Sequence, residues 1–345
     1  MHKFVRRALK EGTPLIDKGK ATFVWEGETP PVLAGDFSHW QPVKMEPIEA
    51  GAFAYTVNLP NDAYIEYSYF VGSTTGERLR DPHNKRRTSN GMGKYNHYFR
   101  MKDAKHTDLV RAKKGVQRGT VTEIKLMNPM FFGGTHGKRR LWLYQPPVEQ
   151  PVPLLFVWDG NDYYRRAKLT TVIDNLIAHG RIRPVAVAML ENGKAARFVE
   201  YACSEATLGA FQYEVLPLAQ QHLRLCPPSE QSYGVLGASM GGLMALYAGL
   251  RLSATFGQVF SQSGAFVLDG YEMPVVSMVK HQPKVDLKIW LDWGQYEDLA
   301  ACNRQMAALL KEKDYSVNYR EYAGGHNYTM WRDDLWRGLE YLFGK

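Results

Sequence analysis

The sequence predicts an α/β protein: a mostly parallel sheet covered by helices on both faces, preceded by an immunoglobulin-like β-sandwich. Three observations predict it. After residue 118, strand-like runs that are apolar throughout alternate with helical stretches, the pattern of a parallel sheet buried on both faces. Residues 21 to 100 instead hold short β-branched and aromatic runs bounded by turn residues. Between the two lies a polar, lysine-rich stretch, residues 102–117. The expected organisation is a sandwich over 1–101, a linker over 102–117 and an α/β domain over 118–345.

The sandwich strands are "ATFVWEG", "PPVLAGDF", "FAYTVNLP" and "AYIEYSYFV", separated by turn chemistry such as Gly35-Asp36 and Pro60-Asn61-Asp62. In the second part, "GTVTEIKL" and "KRRLWLYQPP" read as an antiparallel hairpin pair. "PLLFVWDG", "PVAVAML", "YGVLGAS", "FGQVFSQSG" and "LKIWLDWG" are buried strands, because each is a short apolar run closed by turn residues. The intervening "KLTTVIDNLIAHG", "AFQYEVLPLAQQHL", "GGLMALYAGLRL" and "LAACNRQMAALLKEK" are helices.

Composition bounds the function. A hydrophobic fraction of 45% and a charged fraction of 23% are those of a soluble globular protein. The net charge of +8 comes from scattered basic residues. The densest runs, "HNKRRTSNGMGK" and "RAKKGVQR", are loop-like and carry no nucleic-acid motif. Nucleic acid is therefore not an expected partner, whereas anionic substrates are favoured. Cys203, Cys226 and Cys302 are too few and too dispersed for a disulfide framework or a zinc site. "MHKFVRRALKEGTPLID" has no apolar signal-peptide core, and no run is long enough to cross a bilayer, so a cytoplasmic protein without a membrane partner is expected. Oligomeric state is not legible.

The candidate chemistry centres on Gly237-Ala238-Ser239-Met240-Gly241, which fits G-x-S-x-G between a strand and a helix. Small flanking residues allow the sharp turn that lifts a serine hydroxyl out of a sheet edge. A serine at its free pKa is a poor nucleophile and needs a histidine oriented by a carboxylate. With the chain order serine, acid, histidine, only His281 and His326 are placed to serve. His281, in the polar "MVKHQPK", reads as a surface loop residue; His326 follows a strand-like run and a double glycine in "YREYAGGHNYTMWRDDL". For the acid, Asp292 lies inside a strand, while Glu297 and Asp298 follow the Gly294 turn. Glu297 is favoured, with Asp298 as its substitute; either also suits the start of the next helix.

These motifs together, "GASMGG", "WLDWGQYEDLAACNRQM" and "YAGGHNYTMWRDDL", resemble the esterase D-like branch of the α/β-hydrolases over residues 118–345. That branch includes enterochelin esterases, feruloyl and acetyl-xylan esterases and mycolyltransferases. The resemblance implies Glu297 as the acid, and an oxyanion hole formed by the backbone N–H groups of Met240 and of Asn161, in "WDGND". It also implies that Arg197 approaches substrate, against the alternative of an ion pair with Glu200. The N-terminal part, "VLAGDFSHWQPVKMEP" and onward, is similar to the glycogen-binding early-set module that precedes the hydrolase in enterochelin esterases. In such a module Trp25 and Trp40 would be sugar platforms or packing residues.

The expected function is a serine carboxylester hydrolase of enterochelin-esterase type, working without metal or organic cofactor. A small-molecule or oligosaccharide ester is its expected partner. An acetyl or feruloyl polysaccharide esterase is the alternative within the class, and an acyltransferase would use the same residues. A non-catalytic sugar- or ligand-binding fusion is the alternative outside it. Tyr163, Trp293, Tyr328 and Trp331 flank the motifs and line either a substrate pocket or the core.

Overall fold

The computed structural model describes residues 1–127, 138–228 and 232–345, and the chain divides into two compact units. The first comprises Met1–His106, Gly294–Asp298 and Glu321–Met330; the second comprises Thr107–Trp293, Leu299–Arg320 and Trp331–Lys345.

The first unit opens with helix α1 (Lys3–Glu11), which buries only Val5 and Ala8. One antiparallel sheet joins β1 (Leu15–Asp17), β2 (Lys20–Glu26), β4 (Glu46–Glu49) and β5 (Ala52–Asn58) in the order β1-β2-β5-β4. The other joins β3 (Val32–Gly35), β6 (Tyr64–Phe70), β8 (Arg87–Ser89) and β9 (Tyr95–Arg100) in the order β3-β6-β9-β8, with β7 (Arg78–Leu79) on β6. Phe23 from one sheet and Leu33, Ile65, Tyr67, Tyr69 and Phe99 from the other fill the core. Apolar side chains of one face are removed from water only when a second layer covers them, which is why two sheets form.

Strand β6 is buried along its whole length. Glu66, on this strand, is satisfied internally: its side chain accepts from Asn96 Nδ2 (2.8 Å), and its N–H donates to Asp36 Oδ2 (2.7 Å). Burial and the nearby Glu66 carboxylate push the Asp36 carboxyl well above its usual range. The two tryptophans considered as sugar platforms are both engaged. Trp25 packs on Tyr69 with ring centroids 4.9 Å apart. Trp40 donates its Nε1–H to Asp36 Oδ1 (3.0 Å), and the Arg78 guanidinium lies 5.5 Å from its ring centre.

His97 gives this unit an acid-sensitive point. Its Nε2 accepts the Asp81 N–H at 3.0 Å, so the ring is held neutral there, and burial lowers its pKa from the ordinary 6.5. The unfolded chain then takes up a proton before the folded one, so stability drops as pH falls below 6.5 and levels off below the folded pKa. Melting temperatures between pH 7.5 and 5.5 should fall more steeply for wild type than for His97→Gln. Parallel slopes would remove His97 as the cause.

The second unit is built on an eight-stranded sheet. Its strands are β10 (Thr120–Met127), β11 (Lys138–Gln145), β12 (Leu154–Val157), β13 (Ala186–Leu190), β14 (Tyr233–Ala238), β15 (Phe256–Gln262), β18 (Lys288–Gly294) and β19 (Ser316–Tyr322). The order is β10-β11-β13-β12-β14-β15-β18-β19; β10, β11 and β13 pair antiparallel, and β13, β12, β14, β15 and β18 run parallel. A small hairpin of β16 (Val267–Leu268) and β17 (Tyr271–Glu272) stands apart. The helices are α2 (Gly160–Arg165), α3 (Leu169–Ala178), α4 (Arg197–Tyr201), α5 (Glu205–Ala210), α6 (Leu216–His222), α7 (Met240–Arg251), α8 (Pro274–His281), α9 (Ala300–Glu312) and α10 (Tyr328–Phe343). Strands β12, β14 and β15 are buried at every residue, as a sheet covered on both faces demands.

One expectation is corrected. His281 is not in a polar loop but closes α8, a helix that buries Val275, Val276, Met278 and Val279. Within the expected linker, a short 3-10 turn at Asp108–Val110 docks on α3, where Asn175 Nδ2 donates to the carbonyls of Leu109 (2.6 Å) and Arg111 (3.0 Å). Strands β12 and β14 are neighbours, paired up to Val157 and Leu236, and the Trp158 N–H donates to the Leu236 carbonyl (2.9 Å). Their carboxyl ends therefore deliver two loops side by side, one beginning at Asp159 and one at Ser239.

Candidate active site

Ser239 lies between β14 and α7 at φ 60°, ψ −123°, a backbone conformation that L-residues rarely adopt. The chain around it over-determines that turn. The Ser239 N–H donates to the Gln262 carbonyl (2.8 Å), and its own carbonyl accepts from Leu243 (3.0 Å) and Ala265 (3.2 Å). Gly237 shows why the motif needs small residues: a Cβ there would stand 2.2 Å from the Gly241 carbonyl oxygen. Gly237→Ala is expected to cost at least about 1–3 kcal/mol through this overpacking, seen as a lower melting temperature. An unchanged melt would mean that the turn is more yielding than its geometry implies.

Met240 is the first residue of α7 and Asn161 lies in the first turn of α2. Amides of a first helical turn have no acceptor within their own helix, so they are available to an external oxygen. The α2 entry is held from behind by Asp159, itself in the left-handed region at φ 55°, ψ 40°. The Asp159 carboxylate is buried and accepts from Asn192 Nδ2 (2.6 Å), Arg197 Nε (2.6 Å) and Arg197 Nη2 (2.6 Å). Its N–H donates to Tyr201 Oη (3.0 Å). Arg197 Nη2 also donates to the Ala238 carbonyl (3.2 Å). Glu200, the alternative partner expected for Arg197, pairs with the buried Arg139. Sequence reasoning missed Asn192 and Tyr201, for which "ENG" and an isolated tyrosine gave no signal.

In the first unit, His326 and Glu297 are brought together. His326 Nδ1 and Glu297 Oε2 are 2.9 Å apart; the Glu297 side chain is fully buried and that of His326 is 36% exposed. Asp298 points elsewhere, 86% exposed and 3.5 Å from His39 Nδ1. The two segments are laced to each other and to β6. Gln295 N–H donates to the Tyr322 carbonyl (2.9 Å), Tyr296 N–H to that of Gly324 (3.0 Å), and Tyr64 N–H to that of Ala323 (3.0 Å). Gly325, next to the histidine, lies so close to Asp36 that a Cβ would meet its Oδ1 at 2.2 Å. The third acid, Asp292, is a buried structural group that accepts from Trp290 Nε1 (3.0 Å) and Gln262 Nε2 (3.1 Å).

Three of the four aromatic residues are core. Trp293, expected as a substrate contact, is buried and stacks on Tyr319 at 5.4 Å. Tyr163 is buried, its hydroxyl donating to Gln262 Oε1 (2.8 Å), and Trp331 is buried, its Nε1–H donating to Ser263 Oγ (2.9 Å). Tyr328, at the start of α10, is half-buried. Among the described residues no group of histidines, cysteines and carboxylates is arranged to hold a metal ion, and no helix is long and apolar enough to cross a membrane.

Comparison with known proteins agrees with this architecture. The chain is 32% identical over 228 residues to the iron(III) enterobactin esterase of Dickeya dadantii, an overlap of 59% of this chain and 52% of that protein. It thus spans about half the length of such relatives. Its fold is that of the α/β-hydrolase structures of two enterobactin esterases. The Salmonella typhimurium ferric enterobactin esterase superposes with a TM-score of 0.78 at 21% identity, covering 95% of both chains. The Shigella flexneri enzyme, solved in the presence of enterobactin, superposes with a TM-score of 0.75 at 21% identity, covering 94% of this chain and 92% of that one. The family model described as "Putative esterase" matches residues 134–342, and the chain belongs to that esterase family.

Proposed function

We propose that this protein is a serine carboxylester hydrolase of the enterobactin-esterase kind, working through an acyl-enzyme. Ser239 Oγ attacks the ester carbonyl as His326 Nε2 takes its proton. Glu297 on Nδ1 fixes the tautomer and steadies the imidazolium that forms. The N–H groups of Met240 and Asn161 receive the tetrahedral oxyanion, with the positive end of α7 adding to the field. The alcohol departs with the proton from His326, and water then cleaves the acyl-serine by the same steps in reverse.

The single observation that carries this reading is the 2.9 Å hydrogen bond between His326 Nδ1 and a fully buried carboxylate that accepts it. A binding protein that had lost catalysis would have no need to keep that pair oriented. The substrate class is proposed from the relatives: a ferric catecholate siderophore whose ester backbone is opened, the iron being cargo. The net charge of +8 suits so anionic a ligand. The engagement of Trp25 and Trp40 within the sandwich speaks against a polysaccharide ester as the main substrate.

The test is turnover of ferric enterobactin, p-nitrophenyl acetate and butyrate, methyl ferulate and acetylated xylan by the purified protein. Hydrolysis of the siderophore well above the simple esters is expected. Preference for ferulate or xylan would overturn the substrate reading. A folded protein that turns over none of them would overturn the enzyme reading.

A further inference from the structure

We infer that Arg197 is a positioning residue that locks the two backbone donors of the oxyanion hole into one rigid frame. The inference rests on the proposed function and replaces a substrate-binding role for this arginine. The two donors belong to different loops, and an oxyanion hole works only while both N–H groups stay 2.7–3.1 Å from one developing oxygen, a tolerance of about 0.5 Å. The β12–β14 ladder cannot supply that precision by itself, since its last link is the Trp158 N–H on the Leu236 carbonyl. Past that point both chains turn sharply, at Asp159 (φ 55°) and at Ser239 (φ 60°).

Arg197 bridges the gap. Its Nε and Nη2 hold the two Asp159 oxygens at 2.6 Å each, and Nη2 also reaches the Ala238 carbonyl at 3.2 Å. Asp159 stands two residues before Asn161, and Ala238 two residues before Met240. One planar guanidinium therefore ties together the equivalent points of both loops. Tyr201, one turn further along α4, accepts the Asp159 N–H (3.0 Å), and Asn192 donates to Asp159 Oδ1 (2.6 Å). The guanidinium lies 5.2 Å from the Tyr201 ring centre, which keeps its plane fixed. Lysine could pair with Asp159 but has no planar fork to serve two carboxylate oxygens and a carbonyl together.

The experiment compares Arg197→Lys, Arg197→Met, Asp159→Asn and the Arg197→Met/Asp159→Asn pair with wild type. Steady-state hydrolysis of p-nitrophenyl butyrate, labelling by a fluorophosphonate and thermal melts are measured for each. Arg197→Met should lower kcat by about 10²–10³-fold, the scale of losing one oxyanion donor, with KM within about threefold because the defect appears only in the transition state. Arg197→Lys should lose at least about tenfold in kcat, and the double variant should lose no more than the worse single one. Should Arg197→Met fail to fold, Arg197→Lys decides. Full kcat in folded Arg197→Lys, or a raised KM with kcat intact, overturns the inference while leaving the esterase reading standing. Wild type that neither hydrolyses the ester nor takes the label overturns both.

Discussion

Ser239→Ala should remove ester turnover almost completely while leaving the fold intact. The loss expected in kcat is roughly 10⁴–10⁶-fold, because the reaction loses its covalent path and not merely one of its stabilising contacts. Alanine suits the experiment, since the strained backbone at φ 60° already carries a Cβ and the substitution adds nothing to it. The turn is held through main-chain bonds to Gln262, Leu243 and Ala265 that alanine keeps. Any residual rate would come from substrate binding and the two N–H donors acting on water. Fluorophosphonate labelling of wild type and its disappearance in Ser239→Ala are the direct readout. Equal labelling of both would place the nucleophile elsewhere.

Glu297→Gln should be the next largest effect, a loss of about 10³–10⁴-fold in kcat. The carboxylate is fully buried against His326 Nδ1. An amide of the same shape can turn its NH2 toward that nitrogen and stabilise the wrong tautomer, which leaves the proposed base without a free lone pair on Nε2. Asp298→Asn is the matched control: its side chain is 86% exposed and 3.5 Å from His39, so activity should stay within about twofold. The reverse pattern, with Asp298→Asn inactive and Glu297→Gln active, would reassign the acid.

What could be read from the chain, and what could not, follows from the range of the forces involved. The parallel strands were legible because a strand buried on both faces must be a continuous apolar run, as in "LLFV" and "YGVLGA". The serine turn was legible because steric crowding calls for glycine on either side of the serine, at positions 237 and 241. Helix α10 was harder, since "YTMWRDDLWRGLEYLF" carries five charged residues and a central Gly338, where a Cβ would meet the Phe260 ring at 2.4 Å and Trp290 at 2.7 Å. The partner of Arg197 was out of reach: the nearest acid in sequence is Glu200, but the short helix α4 turns that residue toward Arg139, and Asp159 lies 38 residues upstream. The attachment of the Glu297 and His326 segments to the sandwich depends on main-chain bonds such as Tyr64 to Ala323, which no local pattern announces.

That attachment bears on how the protein comes to life on the ribosome. An N-terminal module would ordinarily fold first and finish while the rest of the chain is still being made. Here the same compact unit also claims Gly294–Asp298 and Glu321–Met330, so its last contribution is translated after most of the second unit. The sandwich can begin early, but the unit that holds His326 and Glu297 is completed only once Met330 has been made. A nascent chain therefore carries the strained serine well before it carries the histidine proposed as its base.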